Sequence, residues 1–476
     1  MRRSALALAA WLTTESAWAH GLGQRYDLPI PLWLYLLGAA AAVAASFAFL
    51  ALFRRSVEQP ARLALRMRIT GRFPCAIAVV LEAVAFALFV FIITAGLLGN
   101  QNTFKNIAPT AFWVVWWVGF TFLCAFVCNL WPLANPPAIL FRWSDALWRR
   151  LTRTGLSRNL PYPPSLGAWP AVALFLIFAW TELIAPHRDV PRNIALAALV
   201  YTALFWIGSF FFGDRVWCKS ADAFAIAFGL LGRFAPLQLA DLGSGWRWRL
   251  RPYALGLLSR RALPVSMTFF TLAVLATVTV DGFLETPAWA GIAEFVASTL
   301  PRGSTAALLP PTLLLIVGPL VFSATYGAVI IAMARLMRVP RAAWPSLAGR
   351  FVLSLVPIAV AYHLAHYLSF LLLAGQLIIP LASDPLGFGW DLFGTTLYRL
   401  DIGIVDARFV WLTSVASIVL GHIIATWLAH ETALSIFKTA AQARRSQYPM
   451  LLLMIAYTVT SLWILAQPIV ETRSPA

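Results

Sequence analysis

LVPIAVAYHLAHYLSFLLLAGQLIIPL, residues 355–381, decides the fold class. It exceeds the roughly 20 apolar residues needed to cross a bilayer core and carries no Asp, Glu, Lys or Arg. Yet it places His363 and His366 near its middle, where water is scarce. Similar apolar runs lie near 32–53, 74–98, 109–130, 169–186, 193–213, 264–283, 306–333, 352–376, 409–430 and 449–470. The 476-residue chain is 61% hydrophobic and only 12% charged, with a mean hydropathy of +0.78. This composition excludes an ordinary soluble protein. The expectation is an all-α polytopic membrane protein with about ten transmembrane helices, forming one domain over 20–476.

The charges set a direction. The start, MRRSALALAAWLTTESAWAHG, has a basic end, a short apolar stretch and an AWA site ending at Ala19. It reads as a signal peptide over 1–19, leaving a mature chain that begins at His20 outside the cytoplasm. Alternate loops then fall inside, and they hold 26 Lys and Arg residues against eight outside. That asymmetry is what the positive-inside rule requires, and it leaves the C-terminus outside as well. The net charge of +17 is therefore a topology signal, and nucleic acid is not an expected partner. The expected partners are the bilayer itself and its anionic headgroups. Four cysteines lie in or near spans and suggest no disulfide framework. Residues 221–235 are expected to form a cytoplasmic interfacial helix, and 286–300 a second one outside. Residues 381–408 read as a structured outer loop.

Counting 1.5 Å per residue from the inner ends places His363 roughly 16 Å deep, His366 roughly 21 Å and His422 roughly 12 Å. Glu82 lies at roughly 12 Å and Glu182 at roughly 19 Å by the same count. Polar groups at such depth face the bundle interior, pair with each other or line a path. Three readings stay open: metal or haem ligation, a proton or substrate path, and structural hydrogen bonds between helices. As a metal site, His363, His366 and His422 would bind zinc or copper with Glu182 or Glu82 nearby. As a haem site, His363 and His422 would face each other around a non-covalent haem b, since no CxxCH is present. Outside, His20 with His187 is a candidate copper site. Cys124 and Cys128, four apart, offer soft ligands or simply pack. Asp281 and Glu285, in TVDGFLETP, are placed at the outer rim, and His430 and Glu431 at the solvated cytoplasmic end. Walker A, GxSxG and HExxH motifs are absent from the sequence.

Three stretches carry a resemblance: AHGLGQRYDLPIPLWLYLLGAAAAV (19–43), KNIAPTAFWVVWWVG (105–119) with NLWPLANP (129–136), and AHYLSFLLLAGQLIIPLASDPLGFGWDLFG (365–394). They resemble bacterial integral membrane proteins labelled fenitrothion hydrolase, along most of the chain. The resemblance implies a protein of the bacterial cytoplasmic membrane that hydrolyses a lipophilic aryl organophosphorothioate triester. On that expectation His363, His366 and His422 would hold the metal and Glu182 or Glu82 would take the proton of water. The rivals from the residues alone are a copper-handling or small-solute transport protein and a haem-bearing redox subunit.

Overall fold

The computed structural model describes residues 26–53, 69–241, 246–301 and 305–471. The expected signal peptide and His20 lie outside the described residues. The protein is all-α apart from short strands, and its helices are those of a polytopic membrane protein. Among the described residues nine helices are long and apolar enough to cross a membrane. Helices prevail because lipid offers no partner for backbone N–H and C=O groups, so each span must satisfy its own.

In chain order, β1 (Tyr26–Asp27) leads into α1 (Leu32–Phe53), and β2 (Ile69–Phe73) into α2 (Cys75–Leu98). Next come α3 (Ile107–Phe126), α4 (Pro136–Thr152), α5 (Trp169–Leu183) and α6 (Pro191–Phe212). The middle of α3, Thr110–Phe120, is wound as a π-helix, a rare winding that recurs at functional sites. α7 (Ala223–Leu231) is followed by β3 (Leu237–Asp241), β4 (Trp246–Leu250), α8 (Val265–Leu284) and α9 (Pro287–Thr299). α10 (Leu309–Leu336), α11 (Val356–Ala374), α12 (Ala407–Ile436), α13 (Tyr448–Ile469) and β5 (Val470–Glu471) complete the chain.

The helices are not equally buried. Among the spans α8 and α11 are the most enclosed, with α11 buried continuously from Val356 to His363 and again at Ala365, His366 and Tyr367. α11 packs along α12, where small residues let the backbones approach. A Cβ on Gly421 would stand 2.4 Å from that of Ala361 and 2.9 Å from the carbonyl oxygen of Pro357. α4 is different: it is amphipathic, Asn135 caps it by accepting from Ala138 N, and Pro136 and Pro137 occupy its first turn.

Three expectations need correction or refinement. The fourth expected span is a helix of 15 residues, about 22 Å long, short of the roughly 30 Å hydrocarbon core. The expected interfacial helix at 221–235 forms as α7, but seven of its nine residues are buried. An interfacial helix keeps one polar face in water; α7 has none, because Phe224 and Phe228 pack against Trp116, Trp117 and Trp131. Strands were not expected at all. β2, β4 and β3 form an antiparallel sheet in that order, and β1 pairs with β5 in parallel.

The 381–408 segment is ordered by hydrogen bonds. Asp384 accepts from Phe388 N and Gly389 N, while Gln376 bonds the Asp401 backbone and the Tyr398 hydroxyl. Asn100 N and Ile107 N bond the Leu386 and Pro385 carbonyls and tie this segment to the start of α3. Gly387 has φ of +71°, and a Cβ there would fall 2.2 Å from the Lys105 carbonyl oxygen. Only glycine fits.

Candidate metal centre

The site is built from α8 and α11, with α5 and α3 closing it. Asp281 and Glu285 are four residues apart, in the last turn and at the C-cap of α8, which puts both carboxylates on one face. His363, His366 and Tyr367 lie at positions i, i+3 and i+4 of α11, again on one face. Where the two faces meet, His366 Nε2 lies 2.9 Å from Asp281 Oδ2, and the Tyr367 hydroxyl donates to the same oxygen. Asp281 and His366 are both buried.

One donor atom from each of Asp281, Glu285 and His366 lies within 4.8 Å of the others. Donors on a tetrahedral ion with bonds of about 2.1 Å stand about 3.4 Å apart. Admitting an ion would therefore spread the Nε2 to Oδ2 contact by about half an ångström, a movement within side-chain reach. Imidazole nitrogen with carboxylate oxygen suits zinc or manganese; the cluster offers no thiolate or thioether to favour Cu(I). The residues fit a divalent cation.

Beside the cluster is a cavity of about 40 Å³, room for a few water molecules. Asp281, Tyr367, His363, Glu182 and Trp117 line it, with apolar walls from α5, α7 and α8 that include Phe175, Phe228 and Val274. Nε2 of His363 has no hydrogen-bond partner among the described residues. Its ring stands 4.7 Å from that of Tyr367 and 5.2 Å from that of Phe122. Burying such a nitrogen unpaired is costly, so a water in the cavity is its natural partner.

The expected site residues part company here. His363, His366 and Glu182 come together around Asp281. His422 does not join them: its Nδ1 donates to the Ile418 carbonyl at 2.8 Å and its ring faces Tyr457 at 5.9 Å. Glu82 is bound to Arg142 at 2.9 Å and is not part of the cavity wall. His187 is exposed, with φ of 56° in a turn whose carbonyl accepts from Asn193 Nδ2. The expected axial pair for haem is not formed, since His363 and His422 face different neighbours. Cys124 Sγ donates to Asn129 Oδ1 at 3.7 Å. His430 and Glu431, expected in solvent, are buried, with Gln447 Nε2 donating to His430 Nδ1 at 3.1 Å.

Asp281 and Tyr367 are what the sequence reading undervalued. The DxxxE spacing in TVDGFLETP and the Tyr next to His366 were visible, but nothing in one sequence says which neighbouring helix α8 faces.

No family model, curated protein or solved structure matches the chain. The fold and site define a membrane-embedded protein with a buried Asp/Glu/His cluster that can coordinate a metal.

Glu82→Gln is expected to leave any activity of this site within about twofold of wild type, the range of substitutions away from a functional centre. Rate measurements at matched protein levels check this; loss of the rate would return Glu82 to the site.

Proposed function

We propose that the protein is a metal-assisted hydrolase of small lipophilic organophosphorus esters, fenitrothion-like aryl phosphorothioate triesters, in the bacterial cytoplasmic membrane. The observation that carries this is the Asp281–Glu285–His366 donor cluster set directly beside a water-sized cavity lined by Glu182 and His363. A bound divalent ion would polarise the phosphoryl sulfur or oxygen and stabilise the charge that develops on it. The chain's own residues do the rest. Tyr367 holds the Asp281 carboxylate in place. His363 Nε2 accepts a proton from the water that attacks phosphorus, the P–O bond to the aryl group breaks, and the nitrophenolate leaves. Glu182, also lining the cavity, orients that water or takes its proton onward. A neutral aryl triester partitions into lipid, which gives such an enzyme reason to sit in a membrane.

The topology proposed with it has ten crossings and both ends outside. β1 precedes the first span and β5 follows the last, and their pairing supports an even number of crossings. β2 and β4 likewise pair across the segment containing α2, α3, α5 and α6, which favours a crossing by the short α5 as well.

The test is nitrophenol release from fenitrothion by membranes carrying wild type and His363→Gln, with Zn²⁺ or Mn²⁺ supplied. The variant is expected to lose about 10²- to 10⁴-fold, as for removal of a general base, while keeping its metal content. No release by wild-type membranes would overturn the hydrolase reading.

A second reading rests on the 2.9 Å His366–Asp281 contact itself. Without an ion, Tyr367, Asp281 and His366 form a hydrogen-bonded chain of the kind that relays protons in membrane transport. A metal-free wild type that moves protons in vesicles would favour it.

A further inference from the structure

The β2–β4–β3 sheet gathers arginines that no carboxylate pairs with among the described side chains. Its register sets Arg72 directly opposite Arg247, with Arg249 two residues along β4 opposite Thr70 and Gln238. Strand alternation puts Arg72, Arg247 and Arg249 on one face. Trp246, Trp248 and Leu250 point to the other, where the Trp248 ring lies so close over Gly71 that a Cβ there would be 2.6 Å away. Like charges directly opposite in a sheet are destabilising. No ion pair joins any of these three arginines to a carboxylate among the described residues. The next cation along, Arg251, spends its guanidinium on the carbonyls of Gly232, Arg233 and Ala235 and on Gln238. Burial, with Arg233 and Arg249 alongside, lowers its pKa to about 10.

The sheet's position names the counter-charge. β2 ends at Phe73 and the membrane helix α2 begins at Cys75. β3 is joined to the end of α3 by the Cys128–Leu237 bridge. The sheet therefore abuts the ends of two spans, at headgroup level. Tryptophan on one face and arginine on the other is the division that level favours: indole at the acyl boundary, guanidinium at phosphate.

We propose that the Arg72–Arg247–Arg249 face is a binding site for the phosphate of an anionic phospholipid, bridging the two facing arginines. This inference is independent of what the buried cluster does. The test uses purified, delipidated full-length protein in nanodiscs of phosphatidylcholine with or without phosphatidylglycerol, reading the thermal midpoint, with lipid binding followed by native mass spectrometry. Phosphatidylglycerol is expected to raise the wild-type midpoint. The double variant Arg72→Gln/Arg247→Gln should bind it about 30-fold more weakly, from a loss of roughly fivefold per interfacial arginine. In phosphatidylcholine alone the double variant should be at least as stable as wild type, since the repulsion is gone; a merely structural role predicts the reverse. Arg341→Gln, an exposed arginine elsewhere, should keep the wild-type response. A wild type indifferent to phosphatidylglycerol overturns the site, as does equal loss in Arg341→Gln. Inorganic phosphate reproducing the full shift would overturn the lipid as its source. Should the double variant not accumulate, Arg247→Gln alone carries the same comparison.

Discussion

Asp281→Asn is expected to abolish turnover, by on the order of 10³-fold, while the chain still inserts into the membrane. The carboxylate sits where two helices meet: it accepts from His366 and Tyr367 and is one of the three donors of the metal cluster. Asparagine has the same shape but no charge: its carbonyl oxygen can still accept from His366 and Tyr367, but its amide nitrogen replaces the second carboxylate oxygen and cannot bind a cation. The loss has two parts. One is the Lewis-acid contribution of an ion no longer held, worth several kcal/mol. The other is a weaker hold on His366 and Tyr367, whose shared acceptor has lost its charge. Nitrophenol release at matched membrane levels measures the sum. Glu285→Gln should fall in the same direction by less, because Glu285 stands at the helix end, only half-buried. A rate above about a tenth of wild type in Asp281→Asn would mean that the reaction does not run through this carboxylate.

The second large effect is structural and reaches the site from a distance. Gly421→Ala places a Cβ 2.4 Å from that of Ala361, far inside ordinary carbon contact. α11 can respond only by moving away from α12, and His363 and His366 ride on α11. Overpacking of this kind costs about 1–3 kcal/mol, and Gly421→Val should cost more. The expected result is a lowered thermal midpoint in detergent and weakened metal retention, although residue 421 touches no part of the cluster. Adding Ala361→Gly should recover part of the loss, since the two sites share one contact. An unchanged midpoint in Gly421→Val would show that the helices are not packed this closely.

Much of the fold was legible because membrane insertion writes itself locally. Apolar runs of span length and the inner-loop arginines need no knowledge of neighbours, and nine of the runs are long apolar helices. Local length also set the limit: α5, at 15 residues, is shorter than the roughly 20 residues a crossing needs. α7 shows a different failure. ADAFAIAFGLL carries too little charge for a water-facing helix, and its aromatics were a sign of burial that an interfacial reading overlooked. At the site, depth gathered His363, His366 and Glu182 into one slab, and all three lie near Asp281. Depth is blind to azimuth, however. Glu82 shares the slab but points to Arg142, and His422 points to Tyr457. Asp281 was legible in its spacing with Glu285, yet its place at the rim concealed that α11 brings His366 and Tyr367 to it.

The most direct test of the metal centre is the metal content of the purified protein, measured by mass spectrometry in wild type and in His366→Ala after growth with Zn²⁺ or Mn²⁺. About one divalent ion per chain in wild type, absent from His366→Ala, is the predicted result. A wild type that retains no ion, or a variant that retains as much as wild type, would contradict it.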